Sequence, residues 1–176
     1  KKIKLSLSNT NGILLGKKFI LDQTRPGIGI FGLDANGKEI IINNAKLQIP
    51  FILKCPIIQI RKVKKNQTIS YEGITKLKKN SVIATIGIGY ADGIFRIFKK
   101  NLEVKIKNFY CRVMGNITMD SLMIDITDLD ENFLKVGDYI ELLNPDNFSS
   151  ILMQNPDLNI YEIFTHLSDR IVKIYE

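Results

Sequence analysis

Ala84-Thr85-Ile86-Gly87-Ile88-Gly89-Tyr90-Ala91-Asp92-Gly93 is the stretch on which the reading of this chain turns. It opens as a strand: Ser81 to Ile86 is rich in β-branched residues, which suit a pleated, buried surface. Gly87, Gly89 and Gly93 then follow in quick succession, with Tyr90 and Asp92 among them. A strand running into such a loop is a common way to present side chains at a site, and glycine equally serves a plain turn that needs positive φ. A dinucleotide loop fails on spacing and context. The glycines read GxGxxxG rather than GxGxxG, and no helical pattern follows.

Outward from this loop the chain keeps the same character. Strands are expected at 51–63, 81–88, 102–107, 110–117, 121–127 and 138–143, separated by turn signals such as Lys65-Asn66-Gln67, Lys79-Asn80-Ser81, Lys107-Asn108 and Lys135-Val136-Gly137-Asp138. Short strands with regular punctuation predict an all-β barrel or sandwich. Ile124 and Ile126 alternate with Asp125 and Thr127, the pattern of a half-buried strand. Pro56 lies inside the first run and implies an edge or a bulge there.

The two ends differ from this middle. Residues 1–46 read as strand and short helix in alternation: a strand at Ile3–Leu7, a polar loop with N-cap residues at Ser8–Gly12, a short apolar element at Ile13–Leu15, and a second strand at Ile28–Phe31. That rhythm suits the tail of an α/β layer and is too short to fold alone. From 147 the chain turns helical. Phe148, Ile151 and Leu152 share one face, Ile160, Ile163, Phe164 and Leu167 follow the i, i+3, i+4, i+7 rule, and Arg170–Tyr175 reads as a closing strand.

Composition bounds the classes. At 176 residues and 45% apolar the chain can bury a sizeable core, and no apolar run reaches the roughly 18 residues of a membrane span. The start, Lys1-Lys2-Ile3-Lys4-Leu5-Ser6, has no signal-peptide h-region and no initiator Met, so a cytoplasmic location and a C-terminal portion of something longer are expected. Cys55 and Cys111 are expected to be two free thiols. The net charge of +7 comes from 20 Lys against 5 Arg, and Ile, Lys and Asn make up 65 of the 176 residues. Pairs such as Lys64-Lys65, Lys78-Lys79 and Lys99-Lys100 are scattered over turns rather than interleaved with aromatics on one face. No nucleic acid partner is expected.

Familiar catalytic sets are missing from the sequence. His166 is the single histidine, read as a helix-surface or capping residue, so no metal site is expected. No serine occupies a nucleophile elbow, and the carboxylates are dispersed. More telling is Thr24-Arg25-Pro26-Gly27-Ile28. A glycine beside exposed backbone N–H groups lets a phosphate approach, and Thr10 offers a hydroxyl to the same anion. If residues 1–46 are the last strands of a (β/α)8 barrel, these residues fall where such barrels commonly hold phosphates.

The ordered set Asn9-Thr10, Arg25 to Gly32, Ile69-Ser70-Tyr71-Glu72-Gly73, Gly87 to Gly93, Val113-Met114-Gly115, Met119-Asp120, Val136-Gly137-Asp138 and Tyr161-Glu162 followed by Arg170 resembles the C-terminal half of the alanine racemases. These are pyridoxal-phosphate enzymes that interconvert L- and D-alanine. The resemblance covers about residues 9 to 175. It implies a mostly-β fold: a C-terminal β-barrel-like domain (47–176) with short terminal helices, preceded by the tail (1–46) of an incomplete (β/α)8 barrel. It implies pyridoxal 5'-phosphate as cofactor, alanine as substrate, a homodimer with shared active sites, a role in making D-alanine for peptidoglycan, and an N-terminal barrel half as the other part.

Residue by residue, the resemblance gives Arg25 the partnership with the cofactor's pyridine nitrogen, and Thr10, Gly27, Ile28 and Tyr161 its phosphate. A guanidinium keeps its proton, so the ring nitrogen stays unprotonated and the cofactor is a weaker electron sink. Tyr71 becomes the acid/base on one face of the substrate, projecting into the partner's site. A phenol with a reference pKa of about 10 needs positive charge or hydrogen bonds to work near neutrality. Tyr90 and Arg96 line the partner's entrance, and Met119 and Asp120 stand on the substrate side. Two departures stand out. Asn116 occupies a position where the family commonly has Arg, and Glu72 follows Tyr71 where Gly is usual. The cofactor-binding lysine of the family belongs to the N-terminal barrel, so the chain by itself is expected to be inactive. The competing expectations are a serine or broad-specificity amino-acid racemase of the same fold, and a non-catalytic basic β-barrel binding module, which salt-dependent binding to nucleic acid would reveal.

Overall fold

The computed structural model describes residues 2–175 except 101, 108, 131 and 156, and of Ile160 only the backbone. The expected turn at Asn108 therefore lies outside the described residues, as does the side chain of Ile160. The chain forms two compact units, 1–51 and 52–176.

In the first unit, β1 (Ser6–Asn9) leads directly into helix α1 (Thr10–Leu14), and a 3-10 turn at Lys17–Phe19 precedes β2 (Gln23–Arg25). β1 and β2 pair in parallel, Asn9 opposite Arg25, so the segment is a small β-α-β crossover. Asn9 caps the helix, its side chain accepting the Gly12 N–H at 3.1 Å. The first strand overlaps the expected 3–7 at Ser6 and Leu7 and runs two residues past it, whereas the second lies before the expected 28–31. Ile28–Phe31 is a 3-10 turn, not a strand. It closes on Gly32 at φ 76°, where a Cβ would come within 2.6 Å of the Gln48 carbonyl oxygen, and this reversal ends any extended run. A short hairpin follows, β3 (Ile41–Ile42) and β4 (Ala45–Lys46), joined by Asn43 and Asn44 at φ 51° and 63°.

The second unit is a six-stranded antiparallel sheet. Its strands are β5 (Leu53–Val63), β8 (Ser81–Ile86), β9 (Glu103–Ile106), β10 (Phe109–Met114), β11 (Leu122–Asp125) and β12 (Tyr139–Leu143), in the order β12-β5-β8-β11-β10-β9. Each coincides closely with an expected strand. The end strands β12 and β9 lie against each other, so the sheet curls into a nearly closed barrel. Closure removes the exposed edges that sheets otherwise carry. Burial alternates along β9, β10 and β11, which sends residues such as Val104, Cys111, Leu122 and Ile124 inward. Each such aliphatic side chain contributes about 1.5–3 kcal/mol on burial. Pro56 sits in the interior strand β5, beside a register shift between Ile57 and Gln59. Of the two readings of this proline, the bulge holds and the edge does not.

Between β5 and β8 the chain makes a second hairpin, β6 (Thr68–Ile69) and β7 (Thr75–Lys76), with the 3-10 turn Tyr71–Gly73 at its tip. The helices α2 (Phe148–Met153) and α3 (Ile160–His166) follow the barrel, with Phe148, Ile151, Leu152 and Ile163 buried. The expected closing strand at Arg170–Tyr175 is irregular instead; Val172, Ile174 and Tyr175 are exposed, and among the described residues no strand pairs with this tail.

Cys55 and Cys111 are free and buried on two strands of the barrel. Burial pushes the Cys55 thiol up to about 12, reinforced by the charge of Asp92, and that of Cys111 to about 11, reinforced by Asp125 and Asp128. In the unfolded chain both ionise from about pH 8.5. The folded state therefore binds more protons between pH 8.5 and 11–12, and stability falls with rising pH across that window while these thiols cost nothing below it. Equilibrium urea unfolding between pH 7 and 11 should show this slope, and Cys55→Ala should flatten it. Both thiols should stay unreactive toward a disulfide reagent at pH 8 until the chain is unfolded.

Candidate functional site

The loop after β8 is fixed by close backbone approach. A Cβ on Gly89 would lie well inside contact distance of the carbonyl oxygens of Thr118 and Met119, so only glycine fits. The next two residues hydrogen-bond to those carbonyls: Tyr90 N–H donates to Thr118 O at 2.9 Å and Ala91 N–H to Met119 O at 3.0 Å. Asp92 turns back to accept the Gly89 N–H through its carboxylate at 2.9 Å. Gly93, at φ 97°, packs against the end of α3, where a Cβ would be 2.5 Å from the His166 carbonyl oxygen. His166 itself caps that helix end, its Nδ1 2.9 Å from the Glu162 carbonyl, with its ring edge-on to Phe95.

Arg170 joins these parts electrostatically. Its Nη2 is 2.8 Å from a carboxylate oxygen of Asp120, and its Nε is 3.4 Å from one of the buried Asp92. The hydrogen bond to Asp120, then the charge of Asp92, hold the guanidinium above its ordinary range. One arginine thus ties the Tyr90 loop, the Met119-Asp120 segment and the tail together. Tyr90 and Met119 lie exposed on this surface, and Arg96 is exposed on the following 3-10 segment, Arg96–Lys100.

Tyr71 stands on the 3-10 turn between β6 and β7 and is 72% exposed. Its flanks are conformationally costly. Ser70 adopts φ 70°, ψ 171°, a region populated almost only by glycine, and Glu72 adopts φ 61°, ψ 7°. Each such residue costs on the order of 1–3 kcal/mol, and such costs cluster at functional sites. The turn is held from one side. Ser70 Oγ accepts the Asn116 N–H at 2.9 Å, and Gly115 lies flush against Ser70. Lys99 Nζ donates to Asn116 Oδ1 at 3.1 Å, so a cation lies against the side chain of Asn116.

In the first unit, Thr10 is buried at the start of α1, and its hydroxyl oxygen accepts N–H groups from Gly27 at 3.0 Å and Gly29 at 3.1 Å. With both lone pairs engaged, its own proton is left to donate. The Gly27 N–H thus orients Thr10. Ile28 is buried beside it. The exposed Arg25 is braced against β1, donating from Nη1 to Ser6 Oγ and from Nη2 to the Leu7 carbonyl at 3.2 Å. The buried hydroxyl with a free proton suits an anion such as a phosphate, and the braced guanidinium of the same unit suits a hydrogen-bond acceptor. Tyr161, half-exposed on α3, belongs to the second unit. Sequence reasoning missed the Arg170 bridge and the Ser70–Asn116 contact; no signal in the sequence pairs Arg170 with two carboxylates so distant along the chain. Among the described residues, no group of three or more His, Cys, Asp or Glu is arranged to hold a metal ion, and no helix is long and apolar enough to cross a membrane.

Residues 51–175 match the family described as "Alanine racemase, C-terminal domain". The chain is 32% identical over 183 residues to the alanine racemase of Brucella ovis, covering 99% of this chain and 46% of that protein. It is 34% identical over 177 residues to that of Rickettsia canadensis, covering 98% and 46%. It therefore spans about half the length of the curated relatives it matches. Among solved structures, the alanine racemase of Bartonella henselae with covalently bound pyridoxal phosphate superposes with a TM-score of 0.86 at 32% identity, over 100% of this chain and 48% of that one. That of Clostridium difficile 630 gives 0.76 at 29% identity, over 93% and 43%.

Substituting Gly89→Ala should lower the free energy of unfolding by about 1–3 kcal/mol or more, since the Cβ meets backbone rather than a yielding side chain. Arg170→Ala should lower the thermal midpoint and lose less of it in high salt, because salt already weakens the bridge to the exposed Asp120. Calorimetry at two ionic strengths checks both.

Proposed function

This chain belongs to the alanine racemase C-terminal domain family, and on that premise we propose that it is the C-terminal portion of an alanine racemase, converting L-alanine to D-alanine and back with pyridoxal 5'-phosphate. The observation that carries the reading is Tyr71: an exposed phenol on a strained turn that is anchored from behind. The Bartonella henselae relative, with its covalently bound pyridoxal phosphate, supports the cofactor. When bound, that cofactor draws electrons from the substrate's α-carbon and so loosens its α-hydrogen.

The chain's own residues would then act as follows. Arg25, braced by Ser6 and Leu7, donates to the ring nitrogen without giving up its proton, which tempers the electron demand on the substrate. Thr10 donates its hydroxyl proton to the phosphate, with Gly27 and Ile28 shaping the cradle. Tyr71 Oη takes the α-proton from one face of alanine and delivers one to that face in the reverse direction, acting in the partner subunit's site. A lysine in the half that this chain does not cover serves the other face. Asp120, held by Arg170, and Met119 border the substrate, while Tyr90, Arg96 and the Lys99–Asn116 pair narrow the entrance. The enzyme would be a cytoplasmic homodimer supplying D-alanine to peptidoglycan.

Two measurements test this. The 176 residues alone should show no racemisation, and co-production with the N-terminal barrel half should restore it. In that complete enzyme, Tyr71→Phe should lower racemisation by about 10²–10⁴-fold while cofactor absorbance is retained. Full activity of the phenylalanine variant in both directions would remove Tyr71 from the reaction.

A further inference from the structure

We propose that Ser70 is a positioning residue that aims Tyr71, a role that rests on the acid/base reading of that tyrosine. Ser70 is an L-residue in a backbone region suited to glycine, with φ 70° and ψ 171°. Nothing about hairpin closure requires a side chain there; glycine would turn the chain without strain. What the side chain adds is a hydrogen bond out of the hairpin. Its Oγ accepts the Asn116 N–H at 2.9 Å, from the segment that follows β10. The fit is close on the other side as well. Gly115, at φ 77°, presses against Ser70, and a Cβ there would be 2.5 Å from the Ser70 Cβ and 2.8 Å from its Oγ.

The consequence is directional. Tyr71 rides on a two-strand hairpin of two-residue strands, a unit too small to be rigid unaided. The Ser70–Asn116 bond and the Gly115 contact pin the residue before Tyr71 to the barrel strand β10 and its exit loop. An exposed side chain that must meet a substrate outside its own unit gains from such pinning, because misplacement by about 1 Å costs on the order of 10²-fold in rate. The strain at Ser70 is therefore retained for aim rather than for stability.

Ser70→Gly separates the two. It relieves the backbone and shortens the side chain, so a brace that served stability alone would weaken while a pointing device would merely lose its aim. In the complete enzyme the unfolding midpoint should stay within about 3 °C of the parent. A fluorotyrosine placed at 71 should give a narrower fluorine resonance, reporting faster motion. The kcat should fall about tenfold or more, with KM for alanine within about twofold. A midpoint lowered beyond that margin, an unchanged resonance, or a kcat within twofold of the parent would each overturn the proposal. Tyr71→Phe in the same assay keeps the two claims apart. Its full activity would defeat the acid/base reading, while the fluorine resonance would still decide whether Ser70 orders that side chain.

Discussion

The absence of a side chain at Gly89 is the constraint from which the second unit takes its shape. Because the carbonyls of Thr118 and Met119 occupy the space of a Cβ, the loop after β8 lies directly on the segment before β11. Two backbone hydrogen bonds then fix Tyr90 and Ala91 to those carbonyls, and Asp92 is delivered into the interior. A buried carboxylate needs partners. It finds one in the Gly89 N–H and another in Arg170, which also holds Asp120. Removing the close approach would move Tyr90, Met119, Asp120 and the tail together.

A different economy governs the Tyr71 turn. Here the backbone is in unfavourable regions at Ser70 and Glu72, and the compensation comes from outside the hairpin through Asn116 and Gly115. In the first unit, Thr10 takes two N–H groups from the turn that follows Arg25, so the hydroxyl proton is free to face an anion. The same logic recurs in each place: a polar group satisfied internally on one side is left with a single defined use on the other.

The barrel strands were legible because their alternation of apolar and polar residues reports one buried face, and that face decides register. Pro56, lacking an N–H to give, announced an edge or a bulge in β5, and the structure chose the bulge. The short hairpins were not legible. β3–β4 depends on Asn43 and Asn44 adopting positive φ, and β6–β7 on Ser70 and Glu72 doing so, and no side-chain pattern of two-residue strands carries that information. Ile28–Phe31 looked like a strand by composition, but Gly32 turns back against Gln48 and forces a 3-10 turn. The tail at Arg170–Tyr175 read as a closing strand, yet a strand exists only as half of a pair. At the site, individual residues stood out by motif, whereas the ties among them, Arg170 to two carboxylates and Ser70 to Asn116, join segments too distant for sequence spacing to reveal.

The packing of Gly93 beneath the end of α3 bears on how the chain acquires its structure. On a ribosome the loop after β8 emerges long before His166 and Arg170, so Asp92 has no cation and Gly93 no cover while the barrel strands are being made. Contacts of such sequence separation are slow to form, and incompletely packed chains expose apolar surface. These contacts can form only once the last turn of α3 has been made, so the segment around His166 to Arg170 completes the packing of the loop after β8 late in synthesis as well as bracing it in the finished molecule.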